Sequence, residues 1–412
     1  MGEENQKQQE LAFRLMHRLV HDYEAGFHSL GINPRAPPGG NPTRERLIAL
    51  YEKGKPFYTK DVFVEIETKL VTLNLSLNDP TITFKAIDGS EAKRVFTERT
   101  RTKPNTSLMV QVHDYQDMLD LVRYNWHNDA VRDSAMSPIS FSVIRHRPRN
   151  VPLGKDYWKL AFASAKDAWQ ETAACKKVFA ALEKAGKQVA NVESIVCFGL
   201  SSLTRDITGT PVAPRSATKY AAVVLIAKYI SERLGKKIFV HSQEPFADDI
   251  TIHLLREHGI FTYEGHIRFT HGYIELNDNA LVVSISPGSP VRSVVADIAR
   301  PPIMICNGYF KGGRDEELKF WESQGSPIIP ATFDPVTPRV RAMLENDYHE
   351  HPIVGEMNEK QSDKDPFARV FVYVRKDQNE EAEKGQDKGK GKEVVAEDKK
   401  EDEDSDAEMA LA

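Results

Sequence analysis

The chain has 412 residues, of which 40% are hydrophobic and 28% are charged, and its formal net charge is −5. This length and composition exclude a mini-protein and allow one large domain with appendages or two domains. The negative net charge excludes a global positive field that would recruit nucleic acid, so nucleic acid is not an expected partner.

The cysteines and the apolar runs indicate the compartment. Cys175, Cys197 and Cys306 lie far apart, which excludes a disulfide framework and a CxxC metal pair. The N-terminus is too polar for a secretory signal, and the longest apolar run, Ala221 to Ala227, is too short to span a membrane. We therefore expect a soluble cytoplasmic and/or nuclear protein with no membrane partner.

The first 150 residues predict two segments. Residues 1–54 carry an amphipathic helix from Leu11 to Tyr23, a break rich in proline and glycine, and a short helix that begins at Thr43. Residues 55–150 predict an accessory α+β region with a small sheet. Its predicted strands are at 71–77, 82–87, 108–112 and 139–144, and its predicted helix is at 118–126.

Residues 151–345 predict an α/β domain. Nearly all-apolar runs at 195–198, 238–240, 281–285 and 303–306 are typical of strands that are covered on both faces. Amphipathic helices at 216–234 and 246–258 separate them, and Ser289 before Pro290 predicts the N-cap of a further helix. This alternation predicts a Rossmann-like three-layer core with right-handed crossovers.

The end of the chain predicts two further segments. Residues 346–375 form a C-terminal extension that ends in an edge strand at 369–374. Residues 376–412 are almost entirely charged residues, glutamine and glycine before a short apolar end. They lack the apolar surface that folding requires, so we predict a disordered charged tail.

Several stretches of the α/β domain resemble the SRR-like (sensitivity to red light reduced) family. Ile195 to Leu203 is similar to the opening strand and turn of that domain, in which a hydrophobic strand ends in Cys, an apolar residue, Gly and Leu. Similar stretches follow at 240–246, at 254–260 and at Asn307–Gly308. Lys55 to Lys60 resembles the N-terminal extension of fungal members.

The resemblance implies a regulatory protein. The family is linked to circadian and light signalling in plants, to the control of haem biosynthesis and to cytoskeletal phenotypes, without an established reaction. This chain departs from the family pattern at Ile285 to Ser289, which keeps a proline but lacks the family's histidine and cysteine, and in the reversed order of Asn307 and Gly308. A metal or thiol role is therefore not carried over to that stretch.

Candidate ligand-binding residues directly follow the predicted strands. Ligands of open α/β sheets bind outside the carboxyl ends of the strands. Glycines there permit a close backbone approach, and serines can donate hydrogen bonds to an anion at a helix N-terminus. The expected residues are Gly199, Ser201, Ser202, Gln243, Glu244, Pro287, Gly288, Ser289 and Asn307. The cofactor and any catalytic residue stay unassigned.

Two known kinds of enzyme site match the sequence only in part. The dinucleotide fingerprint G-x-G-x-x-G is absent, although Glu244 stands where an acid could hold a ribose hydroxyl. A nucleophile elbow at Ser201 lacks its second glycine, and its conceivable partners include Asp248 and His271.

The sequence patterns for a metal site and for a nucleic-acid site are weaker than those for the two enzyme sites. The segment Asp347 to His351 has two histidines without a third metal ligand at a suitable spacing. Basic residues at 99–103 and 145–149 lie near aromatic residues, but no nucleic-acid-binding signature accompanies them.

Two hypotheses for the function follow. The first is an SRR-like regulatory or adaptor protein that contacts protein partners through its N-terminal helix and basic accessory loops, with a small-molecule ligand in the crevice at the strand ends. The second is an enzyme that acts on a nucleotide-like or S-adenosylmethionine-like ligand in that crevice. Ligand contacts are then expected from Gly199, Ser201, Glu244 and Asn307.

Overall fold

The structure is a computed structural model that describes residues 42–73, 80–96, 106–124, 136–145, 154–204, 215–245, 247–263, 270–309, 334–353, 366–367 and 370–377. The predicted helix at 11–23, nearly all of the predicted tail and the basic stretches at 99–103 and 146–149 lie outside the described residues. The described residues up to Arg375 belong to one compact unit, and Lys376 and Asp377 belong to a second.

The first unit contains a mixed sheet of seven strands. The described strands are β1 (Thr81–Lys85), β2 (Glu91–Val95), β3 (Thr106–Val112), β4 (Ile139–Arg145), β5 (Ser194–Phe198), β6 (Phe239–Gln243), β7 (Ile260–Thr262), β8 (Ala280–Ser284), β9 (Ile303–Asn307), β10 (Tyr348–Pro352) and β11 (Val370–Arg375). The sheet has the order β7-β6-β5-β8-β9-β11-β10. Strands β5 to β9 pair in parallel, and β11 is antiparallel to both β9 and β10. This sheet confirms the predicted α/β class.

Helices cover both faces of the sheet. The described helices are α1 (Pro42–Glu52), α2 (Lys60–Thr72), α3 (Tyr115–Tyr124), α4 (Lys155–Gln170), α5 (Ala173–Lys184), α6 (Gly186–Ala190), α7 (Arg215–Leu234), α8 (Asp249–Glu257), α9 (His271–Glu275), α10 (Val291–Ile298) and α11 (Pro338–Asp347). Ile195 and Cys197 of β5 join a core with α4, α5, α7 and α8, whereas Val196 and Phe198 join a second core with α10 and α11. Alternate side chains of one strand are buried on opposite faces, which is why the central strands are apolar throughout.

Side-chain caps determine where several helices begin. Thr59, Thr172, Asp248 and Thr337 each accept a hydrogen bond from the backbone N–H three residues later, which satisfies a donor that the helix itself leaves unpaired. The predicted N-cap at Ser289 was wrong, because Pro290 precedes α10 and no side chain caps this helix.

The last two strands complete the sheet. The predicted strand at 369–374 is present as β11, but it is not an edge strand, since β10 pairs with its other side. Strand β10 forms the edge instead, and its histidines, glutamate and proline are residue types that discourage pairing with another chain.

The accessory region packs against the face of the sheet that carries α10. It has two antiparallel strand pairs, β1 with β2 and β3 with β4. The predicted strand at 71–77 was wrong at its start, because α2 continues to Thr72. Phe63 of α2 stacks on Tyr273 of α9 with ring centroids 4.9 Å apart. The Asp297 carboxylate of α10 accepts the backbone N–H groups of Phe57 and Tyr58 at 2.6 and 3.2 Å.

Candidate functional site

The predicted site residues lie at the carboxyl ends of β5, β6, β8 and β9. Strands β6 and β8 flank β5 on opposite sides, so the order of the parallel strands reverses beside β5. Open α/β sheets form a crevice at such a switch point. At this switch point lie the β5 loop, residues 199–204, and the β8 loop, residues 285–290; the crevice expected beside them is named the switch-point crevice below.

Each of the two loops holds a serine with a left-handed backbone. The φ angle is 67° at Ser201 and 54° at Ser286, and no other non-glycine residue in the described part of the chain has a positive φ. This conformation costs an L-residue about 1–2 kcal/mol. Backbone strain of this kind clusters at functional sites, where the surrounding structure maintains it.

The two loops touch each other through their backbones. Gly199 has a φ of 70°, and a Cβ atom at this position would lie 2.5 Å from Cα of Pro287 and 2.8 Å from the carbonyl oxygen of Ile285. Only glycine fits here without moving a loop, because the neighbouring atoms belong to the backbone. The turn glycine Gly199 therefore has a packing role that is visible only in the fold.

Lys219 of α7 joins the same two loops. Its Nζ donates to the carbonyl oxygen of Gly199 at 2.8 Å and to that of Ile285 at 3.0 Å, and only 8% of the residue is exposed. Burial lowers the pKa of Lys219 to about 8, against the opposing charge of Glu244 and with a further decrease from Arg215. Glu244, directly after β6, is itself 7% exposed. The crevice therefore has a buried cation behind its loops and a buried acid beside it.

The end of β6 contacts the short helix α9. The Gln243 side-chain oxygen accepts the backbone N–H of Gly272 at 2.7 Å. A Cβ atom on Gly272 would lie 2.8 Å from Cβ of Gln243 and 2.9 Å from the ring of Phe198, so α9 fits closely against the ends of β5 and β6. Gln243 is therefore a structural contact of α9 as well as a candidate ligand contact.

The β8 loop is held by β9 and α9. The Ser286 backbone N–H donates to the Asn307 side-chain oxygen at 2.6 Å, and the Ser289 hydroxyl accepts from the Tyr273 hydroxyl at 2.6 Å. Ser286 and Gly288 are exposed, whereas Pro287 is buried. The structure thus places Ser286, Ser289 and Asn307 around one loop, and the exposed backbone of this loop faces solvent.

A buried ion pair lies directly behind this loop. The Arg292 backbone N–H and Nε donate to the two carboxylate oxygens of Asp334 at 2.8 and 2.9 Å. Its Nη1 donates to the carbonyl oxygen of Asn307 at 3.0 Å. Asp334 therefore occupies the N-terminus of α10, the kind of position at which a ligand anion would otherwise bind.

Ser202 is directed toward α8 rather than the crevice. Its hydroxyl lies 3.0 Å from the Thr251 hydroxyl, and it is 2% exposed. The Thr204 hydroxyl donates to Asp248, the residue that caps α8. Asp248 is thus engaged in a buried network, and the hydrolase arrangement considered for Ser201 does not include it.

Two buried hydroxyls near the β8 loop have no hydrogen-bond partner among the described residues. They are Ser284 Oγ at the end of β8 and Ser293 Oγ in the first turn of α10. Buried polar groups without partners are uncommon and call for an explanation such as a bound water or ligand.

Sequence reasoning missed Lys219, Tyr273 and Arg292. The sequence does hold a signal for Lys219, since it shares the helical stripe of Val223, Ile226 and Ile230, where a lysine is unexpected. No comparable signal marks Tyr273 or Arg292, because their partners are remote in the sequence.

The remaining site types have little support in the described residues. No group of three or more His, Cys, Asp or Glu side chains there could hold a metal ion. Cys175, Cys197 and Cys306 are free and buried, and burial raises the pKa of the Cys306 thiol to about 12. None of the described helices has an apolar stretch long enough to cross a membrane.

Comparison with protein-family models, with curated proteins and with solved structures found no match to this chain. The resemblance to the SRR-like family therefore stays a prediction from the residues quoted above, and the geometry of the crevice carries the functional argument.

Proposed function

We propose that this chain is an SRR-like regulatory protein whose Rossmann-like core binds a small polar ligand in the switch-point crevice. The observation that carries the proposal is the pair of left-handed serines, Ser201 and Ser286, on the two loops that border this crevice. Strain at both sides of one crevice, and nowhere else among the described non-glycine residues, is what a maintained binding geometry produces.

The strand order supports an adenosine-bearing ligand. Counted from β5, the five parallel strands have the order 3-2-1-4-5, which is also the order of the first five strands in dinucleotide-binding sheets. In such sheets an acid after the second strand holds a ribose hydroxyl, and Glu244 follows β6 at that place. The fold alone does not determine the ligand, so the proposal of an adenosine-bearing ligand depends on the position of Glu244.

The second candidate is an enzyme that uses an S-adenosylmethionine-like ligand in the same crevice. The observation that favours it is Glu244, which follows β6 at the place where an acid can hold the ribose hydroxyl of such a ligand. Ligand binding is common to both candidates, so it remains the first proposal.

Native mass spectrometry of the full-length protein, purified gently from its own cells, tests the proposal. The native mass is compared with the mass of the denatured chain. We expect an additional small mass that is absent from a Ser201→Gly, Ser286→Gly variant, because glycine removes both hydroxyls and no longer restricts either loop to one conformation. Glycine adopts both left-handed conformations freely, so the free energy of unfolding of this double variant should equal that of the wild type or exceed it by up to about 3 kcal/mol. Loss of the ligand would therefore not reflect loss of the fold.

Ser164→Gly is the matched control. Ser164 is an exposed residue of α4, so its replacement should lower stability by about 0.5–1 kcal/mol and leave the bound mass unchanged. A bare wild-type chain would contradict the proposal. Calorimetric titration with S-adenosylmethionine then separates the two candidates, since the second requires that this ligand bind and the first does not.

A further inference from the structure

Helix α9 contacts the switch-point crevice and the accessory region at the same time. Tyr273 is 2% exposed, and its ring stacks on Phe198, the last residue of β5, with centroids 5.1 Å apart. Its other neighbour is Phe63 of α2, at 4.9 Å. Its hydroxyl donates to Ser289 of the β8 loop at 2.6 Å. One side chain thus joins a strand end, a crevice loop and the accessory region.

Further contacts of α9 also join the crevice to the accessory region. Gly272 lies against Phe198 and Gln243 with no space for a Cβ atom, so α9 cannot shift toward the strand ends without displacing them. On its other side, the His271 ring shares a hydrogen bond with Glu67 of α2 at 3.1 Å. A movement of α9 must therefore alter both the crevice and the packing of α2 against α9, because close-packed interiors do not deform continuously.

We propose that α9 couples the occupancy of the switch-point crevice to the docking of α2, so that ligand binding and the accessory region regulate each other. This proposal rests on the proposed function, because the coupling begins with a ligand bound in the switch-point crevice. It acts in both directions, because a change at α2 that favours one position of α9 changes the affinity of the crevice by the same factor.

Hydrogen–deuterium exchange of the full-length protein tests the coupling without any ligand. Tyr273→Phe removes the hydroxyl that bonds to Ser289 but keeps the stacked ring. We expect backbone exchange to rise about two- to tenfold both in the β8 loop and in α2, the range that loss of one hydrogen bond produces. Ser289→Ala removes the same bond from the crevice side, and it should change exchange in α2 in the same way.

Tyr220→Phe is the matched control, since Tyr220 is also a buried tyrosine whose hydroxyl lies beside a serine, Ser242, at 3.3 Å. It belongs to the core on the opposite face and should leave exchange in α2 unchanged. The coupling is overturned if Tyr273→Phe and Ser289→Ala alter the β8 loop alone, or if the control alters α2 equally. If exchange is coupled but the native mass spectrum of the wild type shows a bare chain, the proposed function is contradicted and the coupling stands.

Discussion

Replacing Gly199 with alanine should destabilise the protein far more than the same change at Gly235, although both glycines have a left-handed backbone. Their φ values are 70° and 62°. The new Cβ atom at position 199 would lie 2.5 and 2.6 Å from Cα and N of Pro287, whereas nothing lies within 4 Å of a Cβ atom at position 235. The pair of variants therefore separates the cost of the backbone conformation from the cost of contact between the two loops.

The magnitudes can be worked out separately. A left-handed alanine costs about 1–2 kcal/mol, and the smaller entropy of the unfolded chain returns about 0.4–1 kcal/mol. Gly235→Ala should therefore lower the free energy of unfolding by about 1 kcal/mol or less. At Gly199 the collision adds about 1–3 kcal/mol for overpacking, since backbone atoms cannot rotate away as a side chain can. The expected loss for Gly199→Ala is about 1–4 kcal/mol, which is about 1–3 kcal/mol more than the loss for Gly235→Ala.

Urea unfolding of the full-length protein measures both losses. The emission of Trp158 and Trp169 reports on the same core that contains α7. An equal loss in the two variants, within about 0.5 kcal/mol, would refute contact between the β5 and β8 loops.

Three further outcomes are expected. Asp334→Ala should cost about 3–5 kcal/mol in urea unfolding because it leaves Arg292 buried without its carboxylate, whereas Asp347→Ala breaks a pair that is 39–41% exposed and should cost less than about 1 kcal/mol. Burial, with help from Asp117, raises the pKa of Asp114 to about 7 from its ordinary 3.8. The charged form is thus disfavoured in the fold, so stability falls as pH rises from about 4 to about 7 and then levels. Asp114→Asn should remove this dependence, and the difference between variant and wild type should grow across that interval; a constant difference would contradict the shift.

Much of the fold could be predicted from the sequence, because the signals are local. Apolar runs mark strands buried on both faces, and the rule that ligands bind at carboxyl ends predicted Ser201, Ser289 and Asn307 at one edge of the sheet. The neighbours of each strand in the sheet could not be predicted in the same way. The pattern at 369–374 predicts a strand but cannot tell that it enters between β9 and β10, since pairing partners are chosen by tertiary packing.

The residues that organise the crevice were missed for a related reason. Lys219 bonds to a carbonyl 66 residues away, and Arg292 to a carboxylate 42 residues away. Left-handed serines are equally invisible, because serine has no preference for that conformation and adopts it only when the surrounding structure enforces it. Backbone strain and long-range contacts are therefore the features of a functional site that local sequence signals do not predict.

The hydrogen bonds already present at this edge limit how a ligand can bind. Lys219 donates to two backbone carbonyls, and Arg292 bonds to Asp334 and Asn307. Within the described part of the crevice, these two buried cations are engaged by the protein itself. For the proposed ligand, recognition by the described loops is then expected from hydroxyls and exposed backbone groups, which favours a ligand that offers hydroxyl or amino groups, such as the ribose and base of a nucleoside. A charged tail on that ligand would have to extend away from the β5 and β8 loops.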